Sequence, residues 1–322
     1  GISPLPSAAC RASRTTSTPS ASLRASAVVS WSSSAASACR PTLPVPPVIA
    51  RPDTLSVTNI EKLIRDPYAI YASRILRLRP LNPIQHAPDA LHRGTMIHKV
   101  FETFVRDTAR DVEAVQVSGL METARNVLEA HVPWPADRIQ WRIRIEKVAQ
   151  WFVEAERGRR RGARPVLLER TGRVDMTDPP FRVTAKADRI DMDEFGRALV
   201  YDYKTGTAPS RARQLHFDIQ LLVTAAIICE GGFADIAPRG VAGARYIALG
   251  PNPKEEPAPL DDVPPERVWE MLKTLLCAYS EPDMGYTARN KMHKDVFGSD
   301  YDQLSRYGEW DASDAPTKVF LT

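Results

Sequence analysis

Cysteine is scarce: Cys10, Cys39, Cys229 and Cys277 are the four in a chain of 322 residues. No two stand close enough for a CxxC-type metal site, and so few in a chain of this length suits a reducing compartment. Cys229 and Cys277 lie in apolar stretches and are expected as buried small residues. No run of about 18 apolar residues occurs, so no transmembrane helix is expected. A GxxxxGK[ST] phosphate loop is also missing, which excludes nucleotide binding of that kind. Residues 1–50 lack Asp, Glu and Lys, and their Arg11, Arg14, Arg24 and Arg40 account for the whole net charge of +4. The rest of the chain is therefore neutral in sum. Bulk charge gives no argument for a polyanionic partner; only a local cluster can. One such cluster is "ERGRRRGAR", Glu156 to Arg164. It reads equally as a phosphate track and as a solvated helix end.

What is present is an ordinary globular composition, 43% hydrophobic and 25% charged, with room for one large domain or two small ones. The chain opens on Gly1 rather than Met, as a fragment or processed chain would. Residues 1–50 are rich in Ser and Ala and show neither a helical nor a strand period. Such a segment buries too little apolar surface to offset its ordering entropy. It is expected to be disordered, or not to be natural coding sequence, and carries no signal-peptide pattern. The stretch "PTLPVPPVIARP", Pro41 to Pro52, is a stiff connector, and order is expected to begin after it.

Residues 51–160 then read as mainly helical. Thr58 and Glu61 fit a capping box, Asp66-Pro67 breaks that helix, and further helices are expected over 90–109, 119–131 and 136–160. Ile97, Phe101, Phe104 and Val105 give the first of these an apolar face. Residues 161–322 change character. "RPVLLERTGRVDM", "FRVTAKADRIDM", "ALVYDYKTG" and "GVAGARYIAL" alternate as strands do, with helices expected over 214–230 and 264–281. A mixed α/β domain follows.

Within "KADRIDMDEFGRALVYDYK" the turn centres near Phe195. A simple antiparallel hairpin then sets Asp188 opposite Asp202. Directly opposed side chains stand about 4.5–5.5 Å apart, and two carboxylates at that distance repel. A divalent cation between them removes the objection, and oxygen ligands favour Mg²⁺ or a similar hard ion. Lys204, two residues on, shares the face of Asp202. Paired acids, a cation and a lysine are the equipment for phosphodiester hydrolysis. The competing reading is a polar surface hairpin.

"ADRID" followed by "DYKTG", with "RGTMIHKVFE" upstream and "DIQLLVTAA" downstream, resembles the PD-(D/E)xK nucleases, in particular their RecB-like branch. The flanking "LSVTNIEKLIRDPYAIYASRILRLRPLNP" and "YDQLSRYGEW" are similar to the nuclease domain of the AddB family. The resemblance implies a mixed central sheet flanked by helices after a mostly helical N-terminal segment. It implies one nuclease domain over residues 51–322, with its catalytic core in 161–322. Asp188, Asp202, His98 and the Tyr203 carbonyl would hold Mg²⁺, or Mn²⁺. Lys204 would be the catalytic lysine, Gln220 would hold the site or contact DNA, and Glu169 would be an additional acid. Glu169 and Gln220 also read as structural partners, as do Arg189 and Asp191.

The implied setting is the bacterial cytoplasm, with single-stranded DNA as substrate and an AddA-like helicase–nuclease subunit as partner, in double-strand-break repair. Many relatives in that family carry an iron–sulfur cluster on four cysteines. Here Asp66 stands before the Pro-Tyr pair and no cysteine follows Cys277, so no cluster is expected. Packing and ion pairs would then tie the first helix to the tail. The rival reading is a non-catalytic scaffold that keeps the fold to hold DNA or a partner. A Cas4-like exonuclease is a third, disfavoured by the same missing cysteines.

Overall fold

A six-stranded mixed sheet organises the chain in the computed structural model, which describes residues 42–81, 89–291, 298–310 and 317–321. Its spine is a long antiparallel hairpin, β3 (Ala163–Thr177) and β4 (Pro180–Asp193). On its other edge β4 pairs first with β2 (Thr54–Ser56), in parallel, and then with β5 (Ala198–Lys204), antiparallel. The parallel partner of β5 is β6 (Val241–Ala248), and β7 (Lys254–Pro257) closes the far edge. Between β5 and β6 the chain crosses over through α6 (Arg211–His216) and α7 (Gln220–Cys229).

Both faces of this sheet are covered, which is why β5 is apolar on both. Ala198 and Val200 face a core built with α1 (Val57–Arg65), α7 and α8 (Pro265–Ser280). Tyr201 and Tyr203 face a second core with α3 (Ala90–Asp107), α4 (Val117–His131) and α5 (Pro135–Arg160). Phe101, Phe152 and Tyr203 meet there, with centroids 4.5 Å apart for Phe101–Phe152 and 6.1 Å for Phe101–Tyr203. The helical stretch expected before the sheet thus forms one of its two walls. No helix among the described residues is long and apolar enough to cross a membrane.

Several expectations change. Regular structure is already present before Pro52: β1 (Thr42–Val45) pairs in parallel with β8 (Thr317–Phe320). Leu43 and Val45 are buried, so the prolines that stiffen the connector do not keep it out of a sheet edge. Residues 1–41, with Cys10 and Cys39, lie outside the described residues. The N-cap of α1 is Ser56, not Thr58: Ser56 Oγ accepts the Asn59 N–H at 3.3 Å, since β2 delivers the chain two residues earlier. Glu61 is thereby released from the capping role. Cys229 and Cys277 are half-buried rather than buried.

The helix expected over 214–230 is two helices. The chain breaks at Phe217–Ile219, where the Asp218 carboxylate takes ion pairs from Arg65 at 2.7 Å and Arg213 at 2.8 Å. That break starts α7 at Gln220.

The end of the first helix is tied to the C-terminal part by hydrogen bonds. Asp66 accepts the Arg289 N–H at 3.1 Å, Tyr68 N–H donates to the Thr287 carbonyl, and Arg289 forks onto Asp302. Of the "ERGRRRGAR" arginines, Arg159 and Arg160 turn inward, while Arg157, Arg161 and Arg164 stay exposed. Arg159 and Arg160 clasp the fully buried Glu156, and Arg157 donates to the Val115 carbonyl at 2.9 Å. Arg159 and Arg160 therefore fit neither a phosphate track nor a solvated helix end, whereas the exposed Arg157, Arg161 and Arg164 keep the character of a solvated helix end.

Candidate active site

The register of the β4–β5 ladder is the one the turn dictates: Arg189 pairs with Tyr201, Ile190 with Val200, Met192 with Ala198. One residue further along, Asp188 stands opposite Asp202. On the other side, the pairs Leu168–Arg189 and Arg170–Ala187 flank Glu169, which stands opposite Asp188. Glu169, Asp188 and Asp202 therefore form one row across three strands. Glu169 holds φ +53°, a left-handed conformation that a residue with a Cβ rarely adopts. Strain of that kind persists where the surroundings over-determine it. Here the Glu169 carboxylate is also ion-paired to Lys186.

His98 comes from α3, above the row. Its neighbours Ile97 and Phe101 lock that helix into the second core. His98 Nδ1 lies 3.4 Å from Asp188 Oδ2. One ligand atom each from His98, Glu169 and Asp188 lie within 4.8 Å of one another. The Tyr203 backbone serves both neighbours: its N–H donates to Asp188 Oδ2 at 2.9 Å, and it also hydrogen-bonds His98.

Asp202 faces the other way along the row. Lys204 Nζ lies 2.6 Å from its Oδ2, and Gln220 Nε2 donates to its Oδ1 at 2.6 Å. Gln220 Oε1 accepts from Lys204 Nζ at 3.2 Å, so one amide clamps both members of the pair. Lys204 also sits over the Tyr246 ring, 5.2 Å from its centroid. The residues singled out in the sequence thus split into a trio whose ligand atoms converge, His98, Glu169 and Asp188, and a clamped pair, Asp202 and Lys204, held by Gln220.

The electrostatics suit a cation. Burial, then the Asp202 charge, push the Asp188 carboxyl up to about 8. Burial lowers His98, favouring the neutral imidazole that a metal requires. For Lys204, burial opposes the ammonium, but Asp202 and the further charges of Asp188 and Glu61 outweigh it and raise its pKa. Carboxylates and one imidazole around a site that disfavours bare negative charge form a donor set for a hard divalent ion. The row opens into a cleft of about 710 Å³ lined by Gly94, Thr95, His98, Glu169, Lys186 and Asp188 among others.

The sequence reading misses Glu61. Its Oε1 accepts the Gln220 N–H at 3.0 Å and so seats the residue that clamps Asp202 and Lys204. Only its place on the flank of the Ile60–Leu63–Ile64 stripe hinted at a buried role. Burial, then the charge of Asp218, raise Glu61 to about 7. A raised carboxyl favours the folded state below its unfolded pKa, and that advantage is lost as pH climbs from about 4.5 to about 7. Glu61→Gln keeps the acceptor and removes the charge. Its stability relative to the wild type is expected to rise across that window, by up to about 3 kcal/mol before solvent screening. Urea midpoints in EDTA at pH 4.5 and 7.5 check this. A constant difference would mean that Glu61 does not titrate there.

Comparison with known proteins places this geometry. Residues 54–310 match the family model described as the PD-(D/E)XK nuclease superfamily. An uncharacterized protein of Rickettsia bellii is 29% identical over 185 residues, 56% of this chain and 22% of that protein. One from Rickettsia conorii is 28% identical over 189 residues, 56% of this chain and 23% of its own length. The match thus spans less than a quarter of these relatives. Among solved structures, that of SSO0001 covers 70% of this chain and 76% of its own, at 12% identity and a TM-score of 0.30. With the family model spanning the sheet, both of its helical walls and the row of acids, the chain belongs to the PD-(D/E)XK nuclease superfamily.

Proposed function

We propose that this chain hydrolyses phosphodiester bonds of single-stranded DNA with Mg²⁺, or Mn²⁺, as cofactor. It would be the nuclease portion of a longer AddB-type protein that works beside an AddA-like helicase partner in double-strand-break repair. The observation that carries the reading is the row Glu169–Asp188–Asp202 with His98 above it and Lys204 clamped at its end. Its span of less than a quarter of the Rickettsia relatives supports a nuclease unit within a larger protein.

Asp188, Glu169, His98 and the Tyr203 carbonyl would hold the ion, with Asp202 beside them. Bound there, it would polarise the phosphoryl oxygen and lower the pKa of a water. Lys204 carries its charge at a fixed position, because Asp202 and Gln220 hold its Nζ from two sides. A fixed ammonium stabilises the negative charge that develops on the phosphoryl group without reorganising at the moment of reaction. Gln220 and, through it, Glu61 keep that position.

The test is cleavage of end-labelled single-stranded DNA with Mg²⁺, with EDTA, and by Lys204→Ala. Metal-dependent cutting is expected, reduced at least about 100-fold in Lys204→Ala. Cutting that survives the substitution would put the site elsewhere. A folded wild-type chain that does not cut would favour a scaffold.

A further inference from the structure

A second cavity adjoins the cleft at the row of acids, and its charged lining is cationic alone. It holds about 350 Å³ and lies between α3, α5 and the residues after β6. Arg93, Arg144 and Lys147 line it, and no carboxylate does. Thr205 lines both cavities. Gly94 lies against that threonine: a Cβ placed there would be 3.7 Å from Thr205 Oγ1. The two cavities therefore share a boundary at Thr205, the residue that follows Lys204, with Gly94 against it.

Its composition is selective in a second way. Ile143 is exposed on α5 beside Arg144 and Lys147, one turn apart along the same helix face. An exposed apolar side chain among cations matches a strand of nucleic acid, whose phosphates and bases alternate in the same manner. The contrast with the rest of the chain sharpens the point. The arginines of 157–160 are spent on Glu156 and on backbone carbonyls. Past residue 50 the chain has no excess of positive charge. A cation-only groove that opens into a phosphodiesterase-type site is thus a local departure, of the kind that steers a polyanion.

We infer that this groove carries the single DNA strand into or out of the acidic cleft. The backbone passes the shared Gly94–Thr205 boundary, with phosphates on Arg93, Arg144 and Lys147 and a base against Ile143. A cavity of ordinary ligand-pocket size admits one strand. This rests on the hydrolytic reading above for its direction, but binding tests it without catalysis.

The experiment measures anisotropy of a fluorescein-labelled oligothymidine of about 20 nucleotides with the full chain in EDTA, across a series of salt concentrations. The comparison is Arg144→Ala with Lys147→Ala, two exposed positions on a helix that alanine suits. The double variant is expected to bind roughly tenfold more weakly at 0.1 M salt. Two lost phosphate contacts reduce the slope of log K against log salt by about 1.4. Hydrolysis of bis(p-nitrophenyl) phosphate, too short to reach the groove, keeps its kcat/KM. Unchanged affinity and slope would overturn the assignment, and so would a parallel loss of small-substrate hydrolysis. If the wild type hydrolyses neither substrate, yet the variant shows the weaker, flatter binding, the groove stands and the hydrolytic reading falls.

Discussion

Asp188→Asn is expected to abolish metal-dependent cleavage while leaving the metal-free chain at least as stable as the wild type. Asp188 is the centre of the row, between Glu169 and Asp202, and its Oδ2 lies 3.4 Å from His98 Nδ1. Asparagine keeps an oxygen for the Tyr203 N–H but loses the charge that a hard cation needs. Cleavage should fall by at least about 1000-fold, since losing the ion removes several kcal/mol of charge stabilisation at once. Stability should move the other way. The folded Asp188 carboxyl sits near 8, raised by burial and by Asp202. Its favourable protonated state is fully present below the unfolded pKa and is lost as pH rises from about 3.8 to about 8. In EDTA the Asn variant should therefore melt increasingly above the wild type as pH climbs through that window. Thermal melts at pH 5 and pH 8.5, together with the cleavage assay, check both halves. A variant that loses activity and stability together would make Asp188 a structural residue.

Glu156→Gln is expected to cost about 3–5 kcal/mol, because it takes the charged partner from Arg160 and one of two carboxylates from each of the buried Arg159 and Arg189. Glu156 is fully buried at the C-terminal end of α5. Its Oε2 accepts from Arg189 Nη1 at 2.6 Å and Arg159 Nε at 3.0 Å, and Arg160 contacts Oε1. Arg189 is itself fully buried, forked onto Asp191 and stacked over Tyr201 at 5.1 Å. Burial alone would raise Glu156, but the three arginines outweigh it and hold its carboxyl at about 2. The sign follows: this stabilisation is present above about pH 4.5 and fades as pH falls towards 2. The gap between wild type and variant in urea midpoint should be full at pH 7 and shrink below pH 4. A gap that ignores pH would show that the glutamate acts by shape alone. Since Arg189 neighbours Asp188 on β4, the variant should also slow cleavage by loosening the strand that carries the site.

The hairpin was legible because its information is local. A turn centred near Phe195 and strict alternation on either side are enough to bring Asp188 and Asp202 into one pair, and β4 and β5 keep that register. The periodicity of Ile97, Phe101, Phe104 and Val105 likewise put His98 on a helix beside a buried face. Glu169 was visible as an acid on the preceding strand. Its left-handed backbone and its pairing with Lys186 were not, since both depend on how β3 is clamped against β4.

Other features had no local signature. Glu61 looked like a cap because Thr58-x-x-Glu61 has the spacing of one, yet β2 starts the helix earlier and frees the carboxylate to reach Gln220, 159 positions along the chain. The arginine run after Glu156 looked like solvated charge, because nothing in nearby sequence announces Arg189 and Glu255 as partners. The break before Gln220 comes from Asp218 meeting Arg65 on another helix. The sequence by itself determined the β4–β5 pairing and offered the acids, the lysine and the histidine as candidates, because alternation, turns and helical faces are set within about 20 residues. Only the tertiary structure decided which carboxylates converge with His98, which are clamped, and which arginines face inward, because charge is buried only where distant segments supply its partner.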